Sequence, residues 1–384
     1  MKYWRGYLAA IIFAAIAWGF VSFAKAHPVL IDLVYPYLTR IYTSSVTGWA
    51  AGTTACIWQI LVLFGVVAII ASGVLMVMFR WNIIQWLGWV LAVIVGVNMV
   101  TTVSYGLNAY ASPLADDIRL NVSDYTIAEL NEAALYFRDQ ANLLSANVSR
   151  DDNKVTTIES FEEVAAVGYK GFDVLTYEKA NSVFANVTQT PVKKLSMPGL
   201  FGTKGDSGIT VALTGEAAVN PNVPNAAIPF AICKELSHRI SIYSEADANF
   251  AAYLACTNHP DALYQYSGYL MAYYYCREAL LSIPTTTAQT YAAQASKDVF
   301  DIVQADLDTI YAFYGEAEIT ANVQPQANIT ASDSEVTLIS FSSYSDVTDL
   351  FVSWHIQYVV LPNQPQDNTE SEFDPLDKNQ VNIP

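Results

Sequence analysis

Basic residues are scarce in this chain of 384 residues: 19 Lys and Arg stand against 36 Asp and Glu. The shortage is uneven. Residues 1–110 hold five of the basic residues (Lys2, Arg5, Lys25, Arg40, Arg80) and one acid, Asp32, so almost all the negative charge falls in the rest of the chain. A part that acidic argues against nucleic-acid binding by phosphate neutralisation, which needs a basic surface. Cysteine is also rare. Cys56 falls in an apolar run, and Cys233, Cys256 and Cys276 allow at most one disulfide. Their spacing fits no zinc-knuckle pattern, so they read as small buried apolar residues. No internal repeat is visible.

Charge is missing altogether from two long apolar runs, Cys56–Phe79 and Ile83–Tyr105. A third run, Gly6–Ala24, lies near the N-terminus. Each is long enough to cross a bilayer, which takes about 20 apolar residues. Only Arg80, Trp81 and Asn82 separate the last two, which predicts a helical hairpin. Trp4, Trp18, Trp58, Trp81 and Trp86 fall near span ends, where amphipathic rings favour the interface. Lys2, Arg5 and Arg80 mark the cytoplasmic side by the positive-inside rule, with Lys25 and Arg40 a weaker opposing signal. Three spans then put the acidic part outside the cytoplasm, in the cell envelope at the plasma membrane. Ala24-Lys25-Ala26 resembles a signal-peptidase site, but the apolar run before it exceeds a signal core of about 7–15 residues. The expected organisation is a membrane anchor over 1–110 (spans at about 6–24, 56–79 and 83–105), one outer domain over 111–361 and a disordered tail over 362–384, whose composition is polar.

Within the outer part, Ser123 or Asp124 is expected to cap a helix carrying Ile127, Leu130, Ala134, Phe137 and Leu144. A second helix is expected over about 158–180, and loop and strand over 186–225. Gly208, Ile209, Thr210, Val211, Ala212 and Leu213 read as a β-strand. Helix is expected from Phe230, over most of Asp247–Cys276 with an interruption at Pro260, and over about Tyr291–Tyr314. Tyr266, Tyr269 and Tyr273–Tyr275 fit either a cleft lining or simple aromatic packing.

The segment with chemical content is Cys233-Lys234-Glu235-Leu236-Ser237-His238, followed by Glu245-Ala246-Asp247-Ala248-Asn249-Phe250. A His-Glu-x-x-His helix sets two imidazoles at i and i+4 on one face to hold zinc, with the Glu as general base. Here Glu235 and His238 stand in place, and Lys234 occupies the first His position. Glu-x-x-His alone is common by chance, and such residues usually face solvent. The surrounding blocks carry more weight: T-G-E-A-A-V-N (214–220), P-F-A-I-C-K-E-L-S-H (229–238), E-A-D-A-N-F-A-A-Y-L-A-C (245–256), Y-S-G-Y-L (266–270) and S-Y-S-D-V-T-D-L (343–350). Together they resemble a bacterial membrane-protein family of unknown function, with three N-terminal transmembrane helices and a zincin-type signature, whose members look like zinc metallopeptidases.

The resemblance implies a mainly helical α+β, zincin-like domain on a three-span helical anchor. It implies Glu235 at the general-base position and His238 and Glu245 at metal-ligand positions; residues 208–213 fit either a plain core strand or, as beside the motif helix of zincin folds, an edge strand for an extended substrate. Ala248-Asn249 follow Glu245 as in the Glu-x-x-Ala-Asp pattern of related membrane peptidases. Two positions depart from the family. Ser241 stands where a glycine normally allows a left-handed turn, a conformation costing a non-glycine residue about 1–2 kcal/mol. Lys234 matters more, because an ammonium has no lone pair and repels Zn²⁺. The expectation is therefore a pseudoenzyme: a degenerate metallopeptidase homologue that binds peptide or protein at the cell surface, with no cofactor. The alternative is an active membrane-bound metallopeptidase holding zinc; a transporter or permease component is a further alternative, against which the absence of ionisable groups in the hairpin spans argues.

Overall fold

The computed structural model describes residues 4–179, 181–185, 187–202, 205–322, 329–330, 338–339 and 346–363. The expected tail lies almost wholly outside these residues.

Four long helices come first: α1 (Arg5–Ala26), α2 (Pro28–Ala50), α3 (Ile57–Met78) and α4 (Ile83–Ser104). Three of them, α1, α3 and α4, are long and apolar enough to cross a membrane. They match the three runs read from the sequence. α1 and α4 run parallel and cross closely, since a Cβ on Gly6 would fall 2.3 Å from the Gly88 carbonyl carbon, and Phe13 meets Gly96 further along. Small residues permit such backbone approach between spans. α3 and α4 form the expected hairpin, pinned by Trp86 Nε1 donating to Ser72 Oγ at 3.0 Å. The second helix, α2, was not foreseen. It connects the first two spans along the base of the domain.

The rest is mainly helical. The short α5 (Leu114–Asp117) leads to strand β1 (Tyr125–Thr126) and the long α6 (Ile127–Ser145). The cap of α6 is Thr126, not Ser123 or Asp124: its side chain accepts from Glu129 N while Glu129 reaches back, a full capping box. The helix expected over 158–180 is broken into α7 (Phe161–Val167), α8 (Lys170–Asp173) and a π-helical turn. Next come β2 (Lys193–Lys194), α9 (Pro198–Phe201), β3 (Gly208–Val211) and β4 (Glu216–Val219). Ala212 and Leu213, expected in the strand, instead begin the four-residue turn that reverses the chain from β3 to β4. These strands form a sheet ordered β2-β4-β3, with β3 antiparallel to β4 and β2 parallel to it, so β3 is an edge among the described residues.

The central helices are α10 (Ile228–Arg239), α11 (Glu245–Thr257) and α12 (Ala262–Ser282). They are followed by α13 (Thr286–Ser296), α14 (Asp301–Asn322), strands β5 (Ile329–Thr330) and β6 (Leu338–Ile339), and α15 (Val347–His355). The single helix expected over 291–314 is thus two, split where Asp298 takes a positive φ of 64°. β6 pairs with both β1 and β5.

The core lies where α6, α11, α12 and α15 meet, and it is strongly aromatic. Tyr253 packs edge-on against Phe137, Phe351 and Trp354, with ring centroids 5.5, 5.3 and 5.1 Å apart. Tyr266 and Tyr273 are fully buried, and Tyr274 and Tyr275 nearly so. Tyr266 donates to Asp306 at 2.6 Å, in a buried network with Arg150 and Thr156. The tyrosine run therefore builds the core. All four cysteines are free and buried.

Candidate functional site

α10 is buried along nearly its whole length, with only His238 partly open. Pro229 sits in its first turn, where a missing N–H costs no hydrogen bond. Four residues per 3.6-residue turn place Lys234 and His238 on one face. The chain then turns at Ser241, whose φ of 76° lies in the left-handed region. The turn keeps the geometry that a glycine would favour. Its cost is offset by partners: Ser241 Oγ lies 2.6 Å from Thr39 Oγ1 on α2. The turn delivers the chain to Ser244, which caps α11 by accepting from Asp247 N at 3.0 Å. Glu245 is thereby the first residue of α11, and it faces back to α10.

One carboxylate bridges both α10 side chains. Lys234 Nζ lies 2.8 Å from Glu245 Oε2, and His238 Nε2 lies 3.3 Å from Glu245 Oε1. Lys234 is buried and also donates to Ser207 Oγ at 3.3 Å. His238 Nδ1 lies 2.9 Å from the Ile242 carbonyl. A carbonyl can only accept, so Nδ1 carries a proton, and Nε2 faces the carboxylate. Imidazoles that ligate metals are oriented by the same kind of bond.

The charges are mutually tuned. Burial works against an ionised Glu245, yet the His238 hydrogen bond and the Lys234 ammonium hold its carboxyl well below the usual range. Burial likewise works against a charged His238, but Glu245 and Glu235 outweigh it and push the imidazole up. Glu235 is buried, and that burial pushes its carboxyl up against the pull of His238 and Lys234. Thr210 Oγ1, on β3, donates to Glu235 Oε2 at 2.8 Å.

An open cleft of about 430 Å³ reaches part of this set: it is lined by Gly208, Ile209 and Thr210 of β3 with Glu235, His238, Ser244 and Glu245, while the buried Lys234 is not in its lining. Tyr105 and Tyr243 complete its wall. Tyr105 follows α4 directly, and its hydroxyl donates to the His238 carbonyl at 2.7 Å. Neither tyrosine stood out in the sequence: Tyr105 lies far along the chain from α10, and Tyr243, in the turn before Glu245, belongs to no motif. Val211, Ala212 and Leu213 do not reach the cleft lining. Asp247 points elsewhere, into a neighbouring cavity under α2; burial raises its carboxyl to about 6.

The donor set does not suit a zinc ion. A catalytic zinc takes three protein ligands with lone pairs. Here Lys234 supplies an ammonium at the first position, and Glu245 is already committed to it. No group of three His, Cys, Asp or Glu among the described residues could hold a metal.

A second set of contacts seats the domain on the helices at its base, and the T-G-E-A-A-V-N block supplies part of it. Gly215 takes a φ of 63°, and a Cβ there would fall 2.4 Å from Thr47 Oγ1. Glu216 accepts from Ile57 N and Trp58 N at 2.8 and 2.9 Å, at the start of α3. A buried carboxylate suits the positive end of a helix dipole. Lys193 Nζ balances it at 2.7 Å. The sequence marked this block only through the resemblance.

Comparison with known proteins gives one positive finding: the family described as "Protein of unknown function (DUF3810)" matches residues 31–350. No curated protein and no solved structure matches.

Proposed function

The chain belongs to the DUF3810 family of unknown function, and from that premise we propose that it is a membrane-anchored, metal-free relative of zinc metallopeptidases. Its cleft binds an extended peptide without hydrolysing it, on the outer side of the membrane. The carrying observation is the bridge from Lys234 through Glu245 to His238. The lysine ammonium stands where a third zinc ligand would, and it satisfies the acid that a metal would otherwise satisfy. His238 keeps its backbone-oriented imidazole, and Glu235 keeps its place beside the edge strand. Such a site is folded, polar and charge-balanced with no metal.

Two further features support the binding half. Among the described residues β3 has a strand on one side only, and it borders the cleft, so an extended chain can add to its other edge through main-chain hydrogen bonds. That mode needs no metal. For topology, the Arg80 turn and the N-terminus share the end of the span bundle away from the domain, and those are the basic flanks that favour the cytoplasm.

The test uses the full chain in detergent and fluorescent, denatured casein as an unstructured polypeptide probe. Binding should persist in chelator, no cleavage should occur, and Thr210→Pro should weaken binding more than Thr210→Ala does, by removing an N–H that faces away from β4. Cleavage that chelator abolishes would overturn the reading.

A further inference from the structure

The helix α2 has two unlike faces. Thr39, Thr43 and Thr47 are buried, and they meet the domain. Thr43 Oγ1 donates to the Arg239 carbonyl at 2.9 Å and Thr47 Oγ1 to the Gly215 carbonyl at 2.8 Å. Beside them Arg40 Nε donates to the Ile240 carbonyl at 2.7 Å. The opposite face carries Leu30, Leu33, Val34, Tyr37, Leu38 and Ile41, each 41–76 % exposed. At 3.6 residues per turn these six fall within an arc of about 140°. An apolar patch of this extent marks a surface that something covers.

The arrangement of the spans identifies what covers it. α1 ends at Ala26 and α2 begins at Pro28, so one residue, His27, joins them. At its other end, six residues lead from α2 into α3. α1 is parallel to α4, and α3 is antiparallel to α4, so the end of α1 and the start of α3 lie at the same end of the bundle. The start of α2 is tied to that same end by Tyr35 donating to the Val103 carbonyl of α4 at 2.7 Å. A helix of 23 residues is about 34 Å long. With both ends held at one face of the membrane, it runs along that face.

We infer that α2 is an interfacial helix whose Leu30–Ile41 face is immersed in the lipid of the leaflet beneath the domain, while its threonine face carries the domain. The occupant of the exposed face is bilayer lipid, because the face is continuous with spans at both ends. Helices of this kind sink their apolar side about 5–10 Å into the boundary between headgroups and acyl chains. The seat also fixes where the cleft lies. Ser241 and the turn that carries Glu245 rest on α2 through Thr39, so the cleft opens close to the lipid surface.

The experiment uses the full chain in vesicles of phosphatidylcholine and phosphatidylglycerol. Nitroxide labels are placed singly through Leu30→Cys, Leu33→Cys, Tyr37→Cys and Ile41→Cys. All four native cysteines are buried, and the four labelled positions are 47–76 % exposed. Accessibility to oxygen is compared with accessibility to a water-soluble nickel chelate. All four labels should favour oxygen, at depths equal to within about one helical turn. Preferred access to nickel would show a water-facing side and overturn the inference. Poor access to both reagents would show a protein partner, such as a second copy, in place of lipid. Depth that increases steadily from residue 30 to 41 would show a helix that crosses the membrane.

Discussion

At the scale of single residues, Lys234 decides the chemistry and Glu245 decides whether Lys234 can stay buried. Removing one partner of a buried charge leaves the other uncompensated. Glu245 itself is exposed to solvent, which screens part of the interaction. Glu245→Gln should therefore cost about 1–2 kcal/mol at neutral pH, measured by thermal or denaturant unfolding of the full chain in detergent. The pH dependence has a definite sign. The His238 pKa is raised in the folded state. Its contribution is thus complete below its unfolded value of about 6.5 and is lost as pH rises through the folded value. The Glu245 pKa is depressed, so its contribution is present above the ordinary carboxylate range and is lost only as pH falls towards the lowered value. The stability gap between parent and Glu245→Gln should be widest near pH 5–6 and should narrow above about pH 7. A gap independent of pH would mean that His238 takes no part in the bridge. Lys234, Glu235, His238 and Glu245 were legible in the sequence because i, i+4 spacing is local and the family blocks surround them. Thr210 was legible only as part of its strand, and Ser207, Tyr105 and Tyr243 were not singled out, since only the folded chain brings β3 and the end of α4 to α10 and the turn after it.

At the scale of elements, the three spans could be read because uninterrupted apolar length is a strong one-dimensional signal. α2 escaped because Asp32, Pro36, Arg40 and three threonines interrupt it, so no window looks like a span. Its apolar stripe at 30, 33, 34, 37, 38 and 41 has helical spacing, but only the docked domain explains the threonines opposite. Short elements were misjudged for a related reason. The α7–α8 region and the break at Asp298 are set by tertiary contacts that local pattern does not report. The β3–β4 turn meets α2 at Gly215, where a left-handed backbone and contact with Thr47 coincide. Gly215→Ala should destabilise the chain by about 2 kcal/mol or more, from backbone strain and the displacement of α2. It should also speed proteolysis in the 51–55 connection. A stability unchanged within about 0.5 kcal/mol would show that the domain is not seated on α2 as described.

At the scale of the whole molecule, the three apolar helices, α2 and the domain form one continuous structure, and Tyr105, just past the end of α4, lines the cleft. The three span-length apolar helices could be read from hydropathy alone. The way the domain is bolted down, through Glu216 on α3 and the threonine face of α2, could not. Protease added to spheroplasts of a bacterial expression host should digest loops of the domain, because Lys2, Arg5 and Arg80 favour the inner side. Protection until the membrane is opened would reverse the orientation. The most direct measurement on the central claim is the zinc content of the purified full chain, set beside that of Lys234→His. The account predicts no stoichiometric zinc in the parent and clear zinc uptake by the variant, which rebuilds His-Glu-x-x-His with Glu245 in place. One tightly held zinc per parent chain, retained with Lys234 unchanged, would contradict it.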